Sequence, residues 1–568
     1  MSAKKSITRE AGKPKNLRKY GYCPKCGSGW LKKFGRTTNT GSMKQRYQCR
    51  SCDHFTTAPS PEPPPEAVAM RKTLPTVKRY VITAAQNATD IHKPTWQTLL
   101  RCAEYYDAEL VVIPGRYKNP TSQWSQKSKD HEWWDKAVVP YLCNGWIRLN
   151  DRLVILGDVK VPWAAANPLG RMDSFTKDKS GIVGHGSRAM RSVATPQHKH
   201  AKTMYTTGAC TVRNYTDTKQ GKLGGFAHAL GALIVEIDGD TFYVRQLNAT
   251  KAGSFIDLDL EFTPDEVRLA KPALAVSMGD SHIRWILPSV VEATLTAPDS
   301  LVKLTGARNL FWHDIIDFHS RNWHHEEDWI TQWAKWKYKK ESVQAEIEEG
   351  MRFVNKHTTR GRKSFIVSSN HERGTAKWLK RTDFRKDPVN AEFYVALAKR
   401  AMETVRMTDG GVTYDDPFID YAKESAKSNV QFLKLGESKV LAGVEYGFHG
   451  DIGPNGARGT TRNLSKLGVK VTKGHSHTAE IIDGCYSGGK STGPLEYEQG
   501  GPSSHTNSHV IQYANGKRAI ITIINGRYCL PRPRKAKLLQ AEAKSQDVQS
   551  TVSGKTAKAE EKKPDEGV

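Results

Sequence analysis

Short polar motifs follow apolar runs at five places in the second half of the chain. The runs ALAVSM, ARNLFW, SFIVSS, VEYGF and VKVTK are followed in turn by Gly279-Asp280-Ser281-His282, His313-Asp314-Ile315-Ile316-Asp317, Asn370-His371-Glu372, His449-Gly450-Asp451 and Gly474-His475-Ser476-His477. Four of the runs clearly predict strands, and the second does so less clearly. Side chains just past the carboxyl ends of strands in an open α/β sheet converge on a common crevice. We therefore expect the five motifs to form one site.

The first half of the chain also contains apolar runs that predict strands, with a predicted helix between two of them. YVITAA (80–85) predicts a buried strand, Pro94 opens a helix with an apolar face, and ELVVIPG (109–115) predicts a second strand. Strand, helix and strand at this spacing predict a βαβ unit. RLVILGD (152–158) predicts a further strand, and residues 232–247 predict a hairpin that turns at Asp238-Gly239. A second α/β segment runs from about 272 to 530 and closes with a hairpin around Asn515-Gly516. The fold class is therefore α/β.

Changes in composition divide the chain into six regions. The stretch APSPEPPPEA at 58–67 favours a stiff, extended linker, because proline lacks the amide donor that helices and sheets require. The C-terminal residues are rich in Lys, Ala, Glu and Gln with almost no aromatic side chains, which predicts a disordered tail. We expect a basic arm (1–20), a cysteine cluster (21–56), a linker (57–76), an accessory α/β domain (77–270), a catalytic domain (271–533) and the tail (534–568).

The charge balance favours a polyanionic partner. Lys and Arg total 86 against 59 Asp and Glu, which gives a formal net charge of +27. Such a field attracts nucleic acid, although a merely solvated basic surface would have the same composition. The chain has no apolar run of about 18 residues that could span a bilayer, and its N-terminus lacks the apolar core of a secretory signal. We expect a soluble protein of the cytoplasm that binds DNA.

One basic segment of the accessory region has two interpretations. Residues 185–208 carry Arg188, Arg191, Lys199 and Lys202 among several histidines. The segment is either a long solvated loop or a surface that follows the phosphates of DNA.

Four cysteines near the N-terminus predict a structural zinc site. Cys23 and Cys26 form one C-x-x-C pair, and Cys49 and Cys52 form another 22 residues later. Two such pairs supply four thiolates for a tetrahedral zinc ion. A chain without a secretion signal is a poor candidate for disulfides instead. The segment is basic with interleaved aromatic residues and resembles the zinc ribbon of transposase-associated DNA-binding proteins, so it contacts either DNA or protein.

The residue types of the five motifs fit metal-dependent cleavage of phosphate esters. Carboxylates and imidazoles together bind manganese, iron or zinc, and an Asn carbonyl oxygen can complete the set of ligands. Two metals about 3.5–4 Å apart need a bridging carboxylate, and they hold the attacking and leaving oxygens of a displacement at phosphorus.

The motif order D-x-H, D-x-x-D, N-H-E, H and G-H-x-H resembles the calcineurin-like metallophosphoesterase superfamily over residues 280 to 480. The resemblance implies a four-layer β-sandwich flanked by helices and a site with two divalent ions, manganese first, with Mg, Fe or Zn as alternatives. One ion would be held by Asp280, His282 and His477, the other by Asn370, His449 and His475, with Asp314 bridging. The resemblance also implies that His371 protonates or stabilises the leaving oxygen and that Asp317 orients a ligand imidazole.

This sequence departs from the superfamily pattern in the second and third motifs. Glycine usually precedes the bridging Asp and the Asn, but here His313 and Ser369 occupy those positions. The insertion between Asp314 and Asn370 is also long, and its segment 324–353 predicts a helix with an aromatic face. We expect that helix to serve packing or a subunit contact rather than to supply ligands.

The motifs alone leave the substrate open. DIIDFHSRN resembles SbcD-type repair nucleases and lacks the Asp-Arg-Gly of protein phosphatases, whereas Asn-His-Glu is commoner in phosphatases. The cysteine cluster and the net charge favour a metal-dependent DNA nuclease. A phosphatase or nucleotide phosphodiesterase of the same superfamily, and a non-enzymatic DNA-binding scaffold, are the alternatives.

The overall layout carries a second resemblance, to the first-step-transfer DNA-degrading proteins of T-five-like bacteriophages, which have an SbcD-like nuclease core. That resemblance implies manganese-dependent destruction of host DNA in the bacterial cytoplasm. SbcD-type relatives usually dimerise, which implies a homo-oligomer of at least two copies.

Overall fold

A computed structural model describes residues 20–24, 30–39, 42–50, 53–60, 70–117, 133–196 and 199–532. Nearly all of the predicted basic arm, the centre of the proline-rich linker and the whole predicted tail lie outside these residues. In the described part of the chain, no helix combines the length and the apolar character needed to cross a membrane.

The strands of the described residues, in chain order, are β1 Leu31–Asn39, β2 Ser42–Cys49, β3 Phe55–Thr56, β4 Arg79–Gln86, β5 Glu109–Gly115, β6 Trp146–Arg148, β7 Leu153–Leu156, β8 Ser180–Val183, β9 Met190–Val193, β10 Lys202–Thr206, β11 Gly231–Asp238, β12 Thr241–Asn248, β13 Phe255–Asp257, β14 Leu260–Phe262, β15 Val267–Leu269, β16 Ala275–Ser277, β17 Asn309–Trp312, β18 Lys363–Val367, β19 Arg406–Thr408, β20 Gly411–Thr413, β21 Val430–Leu433, β22 Val440–Leu441, β23 Val444–Glu445, β24 Lys470–Lys473, β25 Glu480–Ile482, β26 Cys485–Ser487, β27 Ser508–Gln512 and β28 Arg518–Thr522.

The α-helices of the described residues are α1 Lys93–Tyr106, α2 Met172–Phe175, α3 Lys219–Ala227, α4 Pro288–Val291, α5 Leu301–Leu304, α6 Trp329–Lys337, α7 Val343–His357, α8 Gly374–Arg381, α9 Ala391–Glu403, α10 Pro417–Ser425 and α11 Thr461–Ser465. The single helix predicted within 324–353 is thus two helices, α6 and α7. Sheets and helices are mixed throughout, which confirms the α/β class. The four-layer metallophosphoesterase sandwich stays a prediction.

The predicted βαβ unit is present in the first half. Strands β4 and β5 pair in parallel, and α1 connects them. Pro94 lies in the first turn of α1. Proline is tolerated there because amide protons of the first turn have no acceptor within the helix. Trp96, Leu99 and Cys102 bury the apolar face of this helix. The predicted hairpin is also present as β11 and β12, with Asp238 paired to Thr241, so its turn lies one residue later than expected.

A six-stranded sheet in the order β21-β18-β17-β16-β27-β28 carries three of the five motifs. Strands β16, β17, β18 and β21 run parallel, which places their carboxyl ends at one edge. One face packs on α7 through Ile347 and Met351. On the other face, the Phe311 ring stacks between those of Phe365 and Tyr446, with centroids 4.8 and 4.2 Å away. Both faces are therefore apolar, as expected for parallel strands.

A ten-stranded sheet combines strands from both halves of the chain. Its order is β22-β23-β24-β26-β25-β9-β10-β8-β7-β6. The halves join where β25 pairs antiparallel with β9, through Glu480 with Arg191 and Ile481 with Met190. This sheet crosses the predicted boundary at residue 270, and the division into domains stays a prediction.

Segment 185–208 is not the long solvated loop that one interpretation expected. It contributes β9 and β10 to the ten-stranded sheet. Met190, Met204 and Tyr205 are each at most 3% exposed, so apolar burial fixes both strands.

A buried charge network holds the accessory strands together. Arg245 on β12 is 2% exposed; it donates to both oxygens of Asp257 at 2.7 and 2.8 Å and to Glu236 at 2.7 Å. The Tyr106 hydroxyl of α1 also donates to Asp257, at 2.7 Å. Burial alone would raise the pKa of Asp257, but the Arg245 guanidinium and the Tyr106 hydroxyl hold it below its ordinary value. Asp257 pairs with this guanidinium, whereas Glu236 pairs with it and also with Arg79, whose Nε lies 2.9 Å away.

We therefore predict that Arg245→Met destabilises the protein strongly. The substitution leaves Asp257 buried without the guanidinium that pairs with it and removes one of the two guanidinium partners of Glu236, which costs about 3–5 kcal/mol of unfolding free energy. Arg268→Met is the matched control, because Arg268 pairs with Glu261 and Glu266 at the surface. That variant should lose less than about 1 kcal/mol. Urea unfolding of both variants measures the difference, and equal losses would contradict the assignment.

Candidate metal centre

The five motifs converge because of strand order. The first three follow β16, β17 and β18, which are parallel neighbours, and the last two follow β23 and β24, which are parallel neighbours in the ten-stranded sheet. The strand that the sequence predicted least clearly, β17, pairs in parallel with both β16 and β18. The crevice where these strand ends meet is the site that the rule for α/β sheets predicts.

The first cluster of ligand atoms is compact. His282 Nε2 lies 3.6 Å from Asp314 Oδ2 and 3.2 Å from His477 Nε2. His477 Nε2 also lies 3.3 Å from Asp280 Oδ2. On its other side, His282 Nδ1 is 2.9 Å from Asp317 Oδ1, which orients the ring. The structure thus brings together Asp280, His282, Asp314 and His477, with Asp317 behind them.

The second cluster shares Asp314 with the first. His449 Nε2 lies 3.4 Å from Asp314 Oδ1, while Oδ2 of the same carboxylate faces His282. The ring of His475 is 5.1 Å from that of His449. A carboxylate whose two oxygens face two different imidazoles has the arrangement that a bridging ligand needs.

His371 lies at the edge of the first cluster. Its Nδ1 is 2.8 Å from the carbonyl oxygen of Asp317, and its ring packs edge-on against His282 with centroids 4.8 Å apart. Its side chain is 18% exposed. Burial alone would lower the pKa of His371, but the carboxylates of Asp314 and Asp317 raise it.

Buried polar atoms without hydrogen-bond partners mark the site. Within the described residues they include both carboxylate oxygens of Asp280, Asp314 Oδ1, Asn370 Oδ1 and His449 Nε2. Such atoms are rare in folded proteins because each costs desolvation free energy. Five of them in one crevice, all able to donate a lone pair, fit divalent cations. The buried His/Asp cluster could therefore hold metal.

The electrostatics also fit a cation. Burial raises the pKa of Asp280 well above its ordinary value, and the Asp314 carboxylate raises it further. The two carboxylates repel each other in a medium of low dielectric constant. Burial lowers the pKa of His313 and of His477 to about 4. Their imidazoles are therefore neutral near pH 7, and a metal ligand must be neutral imidazole.

Four of the predicted ligands have left-handed backbone conformations. The φ angles are 36° at His282, 48° at Asp314, 70° at His475 and 54° at His477. Non-glycine residues seldom adopt this region, and such strain persists where the surrounding structure imposes it, often at functional sites. Gly474 allows the close approach of the motifs, because a Cβ there would lie 2.2 Å from Asp280 Oδ1.

The two departures from the superfamily pattern have structural explanations. His313 Nε2 lies 3.2 Å from Ser277 Oγ, and its Nδ1 lies 3.3 Å from His449 Nδ1. Ser369 donates its hydroxyl to Glu372, and Glu372 accepts the amide of Ile315 at 2.7 Å. Glu372 therefore links the third motif to the backbone that follows Asp314. Burial and the Asp314 charge raise the pKa of Glu372 to about 7.

Sequence reasoning missed Glu498. Its carboxylate is hydrogen-bonded to His477 Nδ1 and to the ammonium of Lys490, and it lies 3.2 Å from His505 Nδ1. It orients His477 as Asp317 orients His282. Glu498 does not belong to any of the five motifs, so the sequence carried no signal for it.

The four predicted DNA-binding residues have different surroundings. Arg188 donates to Asn248 and to the carbonyls of Thr206 and Thr207, between 2.8 and 3.2 Å. Lys202 is 5% exposed and donates to two backbone carbonyls. Arg188 and Lys202 thus donate hydrogen bonds to acceptors inside the protein. Arg191 is half-buried, and Lys199 is exposed. DNA contact by these four residues stays a prediction.

The predicted zinc ligands are described only in part. Cys23 and Cys49 are both fully buried and share a small apolar cluster with Leu31. Cys26 and Cys52 lie outside the described residues. Strands β1 and β2, between the pairs, form a three-stranded sheet with β3, which follows the second pair. The zinc ribbon stays a prediction.

Fold and site together define a mixed α/β protein with a buried histidine–aspartate cluster suited to metal ions. No family model matches the chain, and no solved structure matches it significantly. Protein A1 of Escherichia phage T5 is 32% identical to it over 468 residues, which cover 79% of this chain and 83% of that protein. The chain belongs to the family of that phage protein.

We predict that Glu498→Gln weakens metal binding by about 10- to 100-fold, because such outer carboxylates fix the ring orientation and basicity of a ligand imidazole. Manganese titration followed by calorimetry measures the change. Glu403→Gln is the control, since Glu403 lies exposed on α9, and it should bind as the wild type does. A chelator should lower the thermal unfolding midpoint of the wild type. Wild-type affinity in Glu498→Gln would contradict the role.

Proposed function

We propose that this protein is a two-metal phosphodiesterase of the calcineurin-like superfamily that hydrolyses DNA. The observation that carries the proposal is the position of Asp314, whose two oxygens face His282 and His449. Around it are buried oxygen and nitrogen atoms that lack other partners.

Two sets of ligands fit the proposal. One ion would be held by Asp280, His282 and His477, the other by Asn370, His449 and His475, with Asp314 shared. Carboxylate, amide and imidazole ligands suit manganese, with Mg, Fe or Zn as alternatives. Two divalent ions would supply positive charge where negative charge develops on the phosphate.

The protein's own side chains have separate tasks in this proposal. His371 holds a proton for the leaving oxygen, since neighbouring carboxylates raise its pKa and a hydrogen bond to Asp317 O fixes its ring. Asp317 and Glu498 act as positioning residues, because they orient His282 and His477 from behind.

DNA is the proposed ester for reasons outside the metal centre. The formal charge of +27 favours a polyanion, and the second motif resembles that of SbcD-type nucleases. The Asn-His-Glu motif, which is commoner in phosphatases, has a structural task here, because Glu372 accepts the amide of Ile315, and that task is independent of the substrate. Kinship with a phage protein supports the further proposal that the DNA is that of the infected host. The zinc ribbon and self-association belong to the same proposal.

The test is digestion of linear and circular DNA in manganese. We expect the wild type to cut DNA and His371→Ala to lose about 10²- to 10⁴-fold in rate, as the loss of a general acid predicts. Asp314→Ala should lose activity together with bound metal. The matched control is Asp383→Ala, since Asp383 pairs with Arg385 at the surface.

Two outcomes would overturn the nuclease proposal. A wild type that leaves DNA intact but hydrolyses small phosphate esters is a phosphatase or nucleotide phosphodiesterase. A wild type that binds DNA and, after manganese loading, contains only one zinc per chain is a non-enzymatic scaffold.

A further inference from the structure

A helix near the metal centre carries aromatic rings into solvent. On α6 and just beyond it, Trp329 is 75% exposed, Trp333 52%, Trp336 64% and Tyr338 66%. We call these four residues the aromatic strip. Single exposed apolar side chains are common, but groups of exposed large aromatic rings commonly mark a surface that binds a partner.

The helix is anchored so that the strip faces outward. Trp329, Trp333 and Trp336 are spaced by four and three residues, so their side chains share one face. Lys335 lies on another side of the helix, is 2% exposed and places its ammonium 2.9 Å from His325 Nδ1. Asp328 caps the first turn through the amides of Ile330 and Thr331. The side of α6 that carries Lys335 thus packs against the protein, and the three tryptophans are exposed to solvent.

Contacts connect this helix to the metal centre. His325, which Lys335 contacts, lies 3.4 Å from Glu496 through its Nε2 atom. Glu496 begins the short turn that ends at Glu498, whose carboxylate is bonded to His477. Tyr497 lies between them, is 59% exposed and has its ring centroid 6.5 Å from that of His477. Exposed aromatic rings are therefore present both beside the metal ligands and on α6.

Cations lie among these rings. The Lys337 ammonium is 4.8 Å from the centroid of Trp333 and 5.6 Å from that of Tyr338. Lys377 lies 3.3 Å over the ring of Trp323, a half-exposed neighbour. The acidic residues 326–328 precede α6, so the positive charge lies toward its C-terminal end. Flat rings with interleaved lysines complement a ligand that has flat bases and a negative backbone.

We propose that the aromatic strip is a stacking platform for single-stranded DNA beside the metal centre. The proposal rests on the proposed function, because it names the form of DNA that the site receives. Stacking of bases on aromatic rings tolerates any sequence, since every base has a π face. Bases in a duplex are already stacked on one another, so the strip selects unpaired strands.

The test compares three variants of the full chain in the presence of a chelator, where DNA is not cut. In the first, Trp329→Ala, Trp333→Ala and Trp336→Ala are combined. In the second, the same three positions become Phe, which keeps the stacking surface. The third, Leu223→Ala with Phe226→Ala, removes exposed apolar side chains from α3, where they are 51% and 90% exposed. Fluorescence anisotropy measures binding to labelled oligothymidine and to a duplex of equal length.

We expect the alanine variant to lose about 100-fold or more in affinity for oligothymidine, given the contribution of each stacked base. Its affinity for the duplex should change little, and the phenylalanine and α3 variants should bind oligothymidine nearly as the wild type does. Thermal unfolding verifies that the alanine variant is folded. Equal losses for single strand and duplex would overturn the proposal, because a purely electrostatic contact behaves in that way.

A second outcome would also overturn it. Unchanged affinity for oligothymidine, together with conversion of a wild-type oligomer to monomers, would make the strip an interface between copies of this chain. The proposed function fails separately, because it depends on DNA cleavage by the wild type in manganese. Oligothymidine binding in chelator is measured whether or not that cleavage occurs.

Discussion

The crevice where the two large sheets meet buries the carboxylates of Asp280 and Asp314 among histidines. Both residues are at most 1% exposed, and the Asp314 charge adds to burial in raising the pKa of Asp280. Burial lowers the pKa of His449 and of His477, which disfavours protons on these two imidazoles. A divalent cation bound there would remove the repulsion and give the unpartnered oxygens a partner at the same time.

Residues that contact the predicted ligands from behind fix the positions of those ligands. Asp317 and Glu498 each contact the far nitrogen of an imidazole that is a predicted ligand, and Glu372 accepts the backbone amide that follows Asp314. None of them needs to touch a metal to matter, since a ring that rotates by a few tens of degrees no longer points its lone pair correctly. The left-handed backbone at His282 and Asp314 belongs to the same support.

Local sequence predicted much of this arrangement. Asp280, Asn370 and His477 follow apolar runs, and the rule that strand ends converge is enough to bring them together. Glu498 was missed because its place depends on how a distant loop returns, which no local pattern records. Lys202 looked like a surface residue, yet backbone carbonyls bind its ammonium inside the fold. A sequence does not distinguish a solvated lysine from one that is buried with such partners. The aromatic face of the insertion was predicted, but its exposure was not.

The pairing of β9 with β25 has a consequence for how the chain can be divided. A fragment that starts near residue 271 would keep β25 but lose β9, the neighbour that covers its edge. Unpaired strand edges bind other edges, and the result is aggregation rather than a smaller folded protein. The pairing also joins residues almost 290 positions apart, a contact that forms late because a long loop must close first. During synthesis, the edge of β9 that pairs with β25 therefore stays unpaired until residue 482, the end of β25, has left the ribosome.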